Sequence, residues 1–309
     1  MSADEAQYWL WSNQLSWGYF SKPPIIAWTI SLTNTILGVS DFSVRASSPI
    51  IHGFTSLVIF QLTKNIFTKS NYIPFLSSLI WLTFPIVGVG SFLISTDTPL
   101  MLIWSLGLLT IHNAIKMGTS SAWMLAGFTS GIGMLAKYAA LYMPLGVLLL
   151  FIFIPNHKIK NKIYNFILYL SCFFLIASPN LIWNIQNSFS TINHLTDNAV
   201  LNEPSFSIEG SFLFLISQIG VVGPVLFLIS IYSLWGFWKD NNDYDWIGWF
   251  VLPVLIIMVL QGFISETNAN WSATALPGLT VFLACFLSKH KLISIISISS
   301  NSLICLIIR

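Results

Sequence analysis

Residues 163–196 read IYNFILYLSCFFLIASPNLIWNIQNSFSTINHLT, 34 consecutive positions without Asp, Glu, Lys or Arg. A helix needs roughly 20 mostly apolar residues to cross the hydrocarbon core of a bilayer, so this stretch alone predicts a membrane span. The pattern repeats in both directions. Uncharged runs of 18 residues (46–63), 27 (70–96), 18 (98–115), 20 (117–136) and 20 (138–157) precede it; runs of 29 (210–238), 20 (246–265), 22 (267–288) and 17 (292–308) follow. Over the 309 residues, 55% are apolar and 8% charged, against about 25% charged in a soluble domain. A water-soluble enzyme is excluded, and an all-α integral membrane bundle of about ten spans is predicted. A transmembrane barrel would show short alternating segments in place of continuous apolar ones.

The few charges divide by side. With one crossing per run, one side receives Lys64, Lys69, Lys116, Lys158, Lys160, Lys162, Lys239, Lys289 and Lys291, nine of the 13 basic residues. The other receives Asp4, Glu5, Asp41, Asp97, Asp197, Glu203, Glu209 and Glu266, eight of the 11 acids. The positive-inside rule makes the lysine-rich side cytoplasmic and the acidic side external, which is periplasmic if the cell is Gram-negative. This alternation requires that residues 23–39 do not cross. Thr29, Ser31, Thr33, Asn34 and Thr35 beside Ile25, Ile26, Trp28, Ile30 and Leu32 form a polar stripe next to an apolar one, as in a helix lying in the membrane interface. The net charge of +2 includes no basic run of the kind that binds nucleic acid. Cys172, Cys285 and Cys305 lie in apolar runs without disulfide or zinc spacing. Met1 to Glu5 has neither the basic nor the apolar region of a signal peptide.

Lys22, Arg45, Lys137 and the terminal Arg309 fall outside the cytoplasmic set. A lysine against the topological bias is costly near hydrocarbon and implies a partner or ligand. Lys22 precedes Pro23-Pro24, which hold the backbone extended and give its ammonium a stiff mount. Several residues have two readings. Asp4 and Glu5 suit the positive end of a helix running from about Ala6 to Leu15, as cap or as functional carboxylate. Asp97 with Thr98 and Pro99 reads as a helix start. Arg45 can pair with Asp41, four residues back. His52 and His112, single in apolar runs, read as bonded to backbone carbonyls. Trp183-Asn184 reads as a belt residue and helix stop, and residues 186–207 as an external loop able to cover a site.

Asp4-Glu5-Ala6-x-Tyr8, Trp17-Gly18-Tyr19-x-x-Lys22-Pro23-Pro24, Ser95-Thr96-Asp97-Thr98-Pro99-Leu100, Gly133-Met134-Leu135-Ala136-Lys137-Tyr138, Pro179-Asn180-Leu181-Ile182-Trp183-Asn184 and Ala269-Asn270-Trp271-Ser272-Ala273 occur in that order. Together the six motifs resemble the bacterial members of glycosyltransferase family 39, the dolichyl-phosphate-mannose protein mannosyltransferase and aminoarabinose transferase superfamily with the GT-C fold. The resemblance implies a transferase that moves a sugar from a polyprenyl-phosphate donor to a hydroxyl or phosphate acceptor on lipid or protein at the external face. It puts the catalytic aspartate at Asp4, with Glu5 assisting, and the donor's phosphate on Lys22. Lys137, next to Tyr138, becomes a second phosphate contact, with Arg45 a further cation, and Asp97 resembles a second acidic site. Many aminoarabinose transferases carry Glu before the lysine where this chain has Ser21, so no metal ligand is assigned and a divalent metal is left open.

This reading makes residues 1–309 one transmembrane transferase domain, with 1–41 as external catalytic loop and 42–309 as the bundle. It also expects a missing first span and no external C-terminal domain, because the sequence starts three residues before Asp4 and ends within an apolar run. The rival readings are a transporter subunit and a truncated, inactive transferase; the gathering of ionisable residues at one face, away from the midplane, speaks against transport.

Overall fold

The computed structural model describes residues 1–154, 159, 161–198, 206–235 and 243–308, which contain helices and no strand. In chain order these are α1 (Ala3–Ser12), α2 (Ile25–Leu37), α3 (Asp41–Ile66), α4 (Tyr72–Thr83), α5 (Pro85–Gly90), α6 (Asp97–Met117), α7 (Ser120–Ala136), α8 (Tyr142–Phe153), α9 (Lys162–Gln186), α10 (Ser190–Asn198), α11 (Ile208–Val222), α12 (Pro224–Trp235), α13 (Leu252–Ile264), α14 (Leu276–Ser288) and α15 (Lys291–Ile307). Short 3₁₀ segments, Tyr138–Leu141, Asp245–Phe250 and Ala269–Ala275, lead into α8, α13 and α14.

Four segments are long and apolar enough to cross a membrane: α6, α9, Asp245–Ile264 and Ala269–Ser288. Two bent pairs raise the number to six, α2 with α3 at 115° and α11 with α12 at 113°. The expected count of about ten is therefore not reproduced by uninterrupted helices, and the breaks have chemical causes. In the 210–238 run, Gly223 takes φ +89 and Pro224 lacks an N–H, so α11 ends and α12 leaves in a new direction. In the 70–96 run, Pro85 parts α4 from α5. The 26 residues of α3 are rich in buried hydroxyls, among them Ser43, Ser47, Ser48, Thr55, Ser56 and Thr63, so α3 passes only together with α2. The 13 residues of α2 reach about 20 Å at 1.5 Å per residue, short of a roughly 30 Å hydrocarbon core. Its 115° turn from α3 is that of a broken span or a re-entrant segment.

Helix directions decide which end of the bundle collects the site. Ser120 meets Asn165 (3.0 Å), a Cβ on Gly127 would strike the Tyr169 carbonyl, and one on Gly131 would lie 2.6 Å from the Phe173 carbonyl. The matched steps show α7 and α9 running parallel, backbone against backbone, as small residues permit in membranes. Asp97 at the start of α6 meets Lys137 just past the end of α7, so these two are antiparallel. Ser48 meets Thr98, and Asn65 meets Asn113, so α3 and α6 are parallel. Asp41, Asp97, Lys137 and Asn180 therefore share one end of the bundle, and Lys64, Lys116 and Lys162 the other. Lys158, Lys160, Glu203, Lys239 and Arg309 lie outside the described residues. Buried Trp81, Trp104, Trp123, Tyr169 and Phe173 fill the core, and Ala269–Ser288 is its most enclosed segment.

Candidate active site

Ser2, not Asp4, caps α1. Its hydroxyl accepts from the Glu5 amide and Glu5 accepts from the Ser2 amide at 2.8 Å, a complete capping box. Glu5 is 1% exposed and fully engaged: Arg45 Nε and Nη2 donate to its two oxygens at 2.8 and 2.7 Å, and the Ile94 amide donates at 3.2 Å. Burial raises the Glu5 pKa, but the Arg45 hydrogen bond, the Ser2 and Ile94 amides and the guanidinium charge outweigh it and hold the carboxyl at about 2. Arg45 thus pairs with Glu5 and not with Asp41, which instead lies 3.5 Å from the chain's amino terminus. The (i, i+4) spacing of Asp41 and Arg45 carried no sign of the partner 40 residues earlier. Asp4, one residue from Glu5, is exposed and forms no hydrogen bond or ion pair among the described residues.

Between α1 and α2 the aromatic run folds on itself. Tyr19 stacks on Trp11 with ring centroids 4.8 Å apart, its hydroxyl accepts from the Ser16 amide at 3.0 Å, and Trp17 meets Trp28 edge-on. The Tyr19 amide donates to the Lys22 carbonyl at 3.0 Å, closing a turn just before the prolines. The Lys22 side chain is half-buried, and its ammonium makes no hydrogen bond or ion pair among the described residues. Its pKa is lowered, first by burial and then by the charge of Lys137, against the opposing pull of Asp4 and Asp97. Two lysines and two carboxylates, from α1, the aromatic loop and the ends of α6 and α7, thus lie within electrostatic reach of one another.

Asp97 is not a cap either. Thr96 precedes the helix, and the Asp97 carboxylate instead takes Lys137 Nζ on Oδ1 at 2.7 Å and Asn270 Nδ2 on Oδ2 at 2.8 Å. Gln218 and Ser272 brace the Asn270 segment, with Gln218 donating to the Ala269 carbonyl at 3.2 Å and accepting from Ser272 at 2.8 Å. Tyr138 does not stand free beside Lys137: its hydroxyl donates to Asn180 Oδ1 and accepts from Asn184 Nδ2, both at 2.8 Å. Asn270, Asn180 and Asn184 belong to motifs visible in the sequence, yet the bonds they make span 173, 42 and 46 residues and leave no local signal. Within the expected loop 186–207, residues 199–205 lie outside the described residues. Its first part sits on the aromatic turn, Thr191 donating to the Tyr19 carbonyl at 2.6 Å and His194 lying 5.1 Å from the Phe20 ring. His52 departs from its expected backbone bond. Both its ring nitrogens are buried without a hydrogen-bond partner among the described residues, and the ring tilts against Trp81. Among the described residues no three His, Cys, Asp or Glu side chains come together as metal ligands would.

An α-helical bundle with several segments long and apolar enough to cross a membrane, which collects cations and carboxylates at one end beside a self-packed aromatic loop, defines a helical membrane protein. Residues 21–183 match the dolichyl-phosphate-mannose-protein mannosyltransferase family, and the chain belongs to that family, glycosyltransferase family 39. It is 30% identical over 275 residues to a lipid A galacturonosyltransferase of Rhizobium johnstonii, covering 88% of this chain and 57% of that one. It is 29% identical over 143 residues to an undecaprenyl phosphate-alpha-4-amino-4-deoxy-L-arabinose arabinosyl transferase of Pectobacterium carotovorum, covering 44% of this chain and 25% of the relative. The fold aligns with ArnT of Cupriavidus metallidurans bound to undecaprenyl phosphate, with a TM-score of 0.69 and 15% identity over 88% of this chain and 50% of that one. The chain thus spans about half the length, or less, of the proteins it matches.

Proposed function

We propose that this chain carries the catalytic end of a membrane glycosyltransferase that moves a sugar from a polyprenyl-phosphate donor to a hydroxyl or phosphate of a lipid acceptor at the external membrane face. The observation behind this reading is Lys22: a half-buried ammonium without a hydrogen-bond or ion-pair partner among the described residues, on a proline mount, within the field of Lys137, Asp4 and Asp97. A prenyl phosphate puts its anion at headgroup depth and its tail in lipid, which calls for cations at the bundle's end. Lys22 receives the phosphate; Lys137, held on Asp97, adds a second charge-assisted donor. On transfer to a hydroxyl, the acceptor oxygen bonds to the anomeric carbon as the bond from that carbon to the phosphate oxygen breaks. The hydroxyl proton passes to Asp4, and polyprenyl phosphate departs with the bonding electrons, its charge stabilised by the lysines. Glu5, occupied by Arg45, holds α1 in place so that Asp4 faces the reacting group; Arg45 serves through Glu5.

In this reading residues 1–41 form an external loop on one transmembrane domain. The bent pairs and the shorter apolar segments α4, Tyr138–Phe153 and α15 complete the boundary with lipid, bringing the crossings toward ten. The relatives' names support donor and acceptor chemistry: one acts on lipid A, another on an undecaprenyl-phosphate sugar.

The test is binding of undecaprenyl phosphate to the purified chain in nanodiscs. Each charge-assisted contact is worth about 1.5 to 3 kcal/mol, so Lys22→Ala and Lys137→Ala should each lose roughly tenfold to a hundredfold in affinity. Lys22→Ala should lose more, because Lys137 is already shared with Asp97. Equal affinity in wild type and both variants refutes the assignment.

A further inference from the structure

We infer that Asn180 is a positioning residue that sets the spacing of the Lys22 and Lys137 ammonium groups by tying together the two backbone segments that carry them. The inference rests on the donor-site reading above but has its own geometric basis. Asn180 is 1% exposed near the end of α9 and uses both ends of its amide across the site. Nδ2 donates to the Trp17 carbonyl at 2.7 Å, and Oδ1 accepts from the Tyr138 hydroxyl at 2.8 Å. Trp17 lies two residues before the turn that the Tyr19 amide closes on the Lys22 carbonyl, so holding Trp17 anchors the lead-in to the mount of Lys22. Tyr138 follows Lys137 directly, and the Ala140 amide donates to the Lys137 carbonyl at 3.0 Å, so holding Tyr138 holds the mount of Lys137.

Three further features serve the same joint. A Cβ on Gly18 would run into the Trp183 ring, so the turn lies flat against α9. Fully buried Asn184 donates to the Tyr138 hydroxyl and to the Asn180 carbonyl oxygen, fixing both partners from one helical turn further on. Thr191 donates to the Tyr19 carbonyl at 2.6 Å, pinning the turn from α10. Because α7 and α9 meet backbone to backbone at Gly127 and Gly131, Asn180 has little slack relative to Lys137. Two cations that share one phosphate gain their energy from a fixed geometry, and a displacement of about 1 Å is costly in a preorganised site. No substrate atom touches Asn180 in this scheme; it acts through the lysines.

Two measurements separate this role from a general structural one. The first is a double-mutant cycle on undecaprenyl phosphate binding. Asn180→Ala should weaken binding roughly threefold to thirtyfold with Lys22 present, and less than twofold in a Lys22→Ala background. The same loss in both backgrounds overturns the inference. Tyr138→Phe, which removes one hydroxyl, provides the milder variant if Asn180→Ala does not fold; it should show a smaller loss with the same dependence on Lys22, and an additive loss counts against the inference. The second measurement needs no donor: the rate at which a small water-soluble acylating reagent modifies Lys22, followed by mass spectrometry with Lys64 as internal reference. Asn180→Ala or Tyr138→Phe should change the Lys22 rate severalfold and leave the Lys64 rate alone. An unchanged Lys22 rate overturns the inference even if donor binding by the wild type stands. A changed rate upholds it even if the wild type proves not to bind the prenyl phosphate, an outcome that would remove the donor reading alone.

Discussion

Asp4 and Glu5 are neighbours in the first turn of α1 with opposite fates. Glu5 is buried under Arg45 and held by the Ser2 and Ile94 amides, while Asp4 is exposed and forms no side-chain hydrogen bond or ion pair among the described residues. Since Ser2 is the cap, Asp4→Asn removes a basic carboxylate without touching the capping box. Folding and donor affinity should match the wild type, and the initial rate of transfer of radiolabelled sugar should fall by roughly a hundredfold or more, the usual scale for a general base. Full activity in Asp4→Asn would take Asp4 out of the mechanism. Glu5→Gln should act on stability first, because charge-assisted hydrogen bonds worth about 1.5 to 3 kcal/mol each are weakened, and this would register as a lower melting temperature in detergent. The Glu5 carboxyl is depressed from 4.5 to about 2, so its stabilisation is present above about 4.5 and disappears as the pH falls toward 2; Glu5→Gln should flatten that acid limb. Lys22 has the opposite sign. Only its charged form grips a phosphate, and its pKa lies below the ordinary 10.5, so donor affinity should fall at a lower alkaline pH than for an ordinary lysine. Lys137→Met removes a like charge and releases Asp97, so the remaining alkaline limb should move to higher pH.

At the scale of elements, the pair α7 and α9 sets where Lys137, Tyr138 and Asn180 lie relative to one another. A methyl on Gly127 would collide with the Tyr169 carbonyl, so Gly127→Ala must push the two backbones apart near mid-helix. Overpacking of this kind costs about 1 to 3 kcal/mol. The expected outcome is a lower melting temperature together with weaker undecaprenyl phosphate binding, because Tyr138 and Asn180 sit at the ends of the separated helices. Gly220→Ala, where a Cβ meets nothing within 4 Å, is the matched control and should leave both unchanged. Elements of this sort were only partly legible in the sequence. Apolar run lengths located most of the helices, because run length is a property of adjacent residues. The breaks at Pro85 and Gly223 were not read, since a long uncharged run does not show whether its helix is continuous. The charged members of the site stood out because lysine is rare in this chain. Asn180, Asn184 and Asn270 did not, because neutral amides are common at helix ends and their partners are set by packing of helices far apart in the chain.

For the molecule as a whole, the charge bias and the helix directions supply independent measures of orientation, and they agree where both apply. Lys64, Lys116 and Lys162 were assigned to one side from run parity alone. The Asp97 to Lys137 and Ser120 to Asn165 contacts put them at the end of the bundle opposite Asp41, Asp97 and Lys137. The agreement survives the bend between α11 and α12, because α3 to α9 lie before it. If the lysine-rich end faces the cytoplasm, as positive-inside bias requires, the site opens to the outside, where a prenyl-phosphate headgroup and an outer-leaflet lipid acceptor can meet. Single cysteines in a background lacking Cys172, Cys285 and Cys305 test this. Ala6→Cys on the exposed side of α1 and Asn193→Cys on α10 should react with a membrane-impermeant thiol reagent in intact cells. Met117→Cys, exposed at the far end of α6, should react only after the membrane is permeabilised. The reverse pattern would turn the whole bundle over and place Lys22 and Asp4 in the cytoplasm. Labelling at Ala6→Cys and Met117→Cys alike in intact cells would mean that α3 to α6 do not separate two compartments, and the membrane topology drawn from both charge and helix direction would fall.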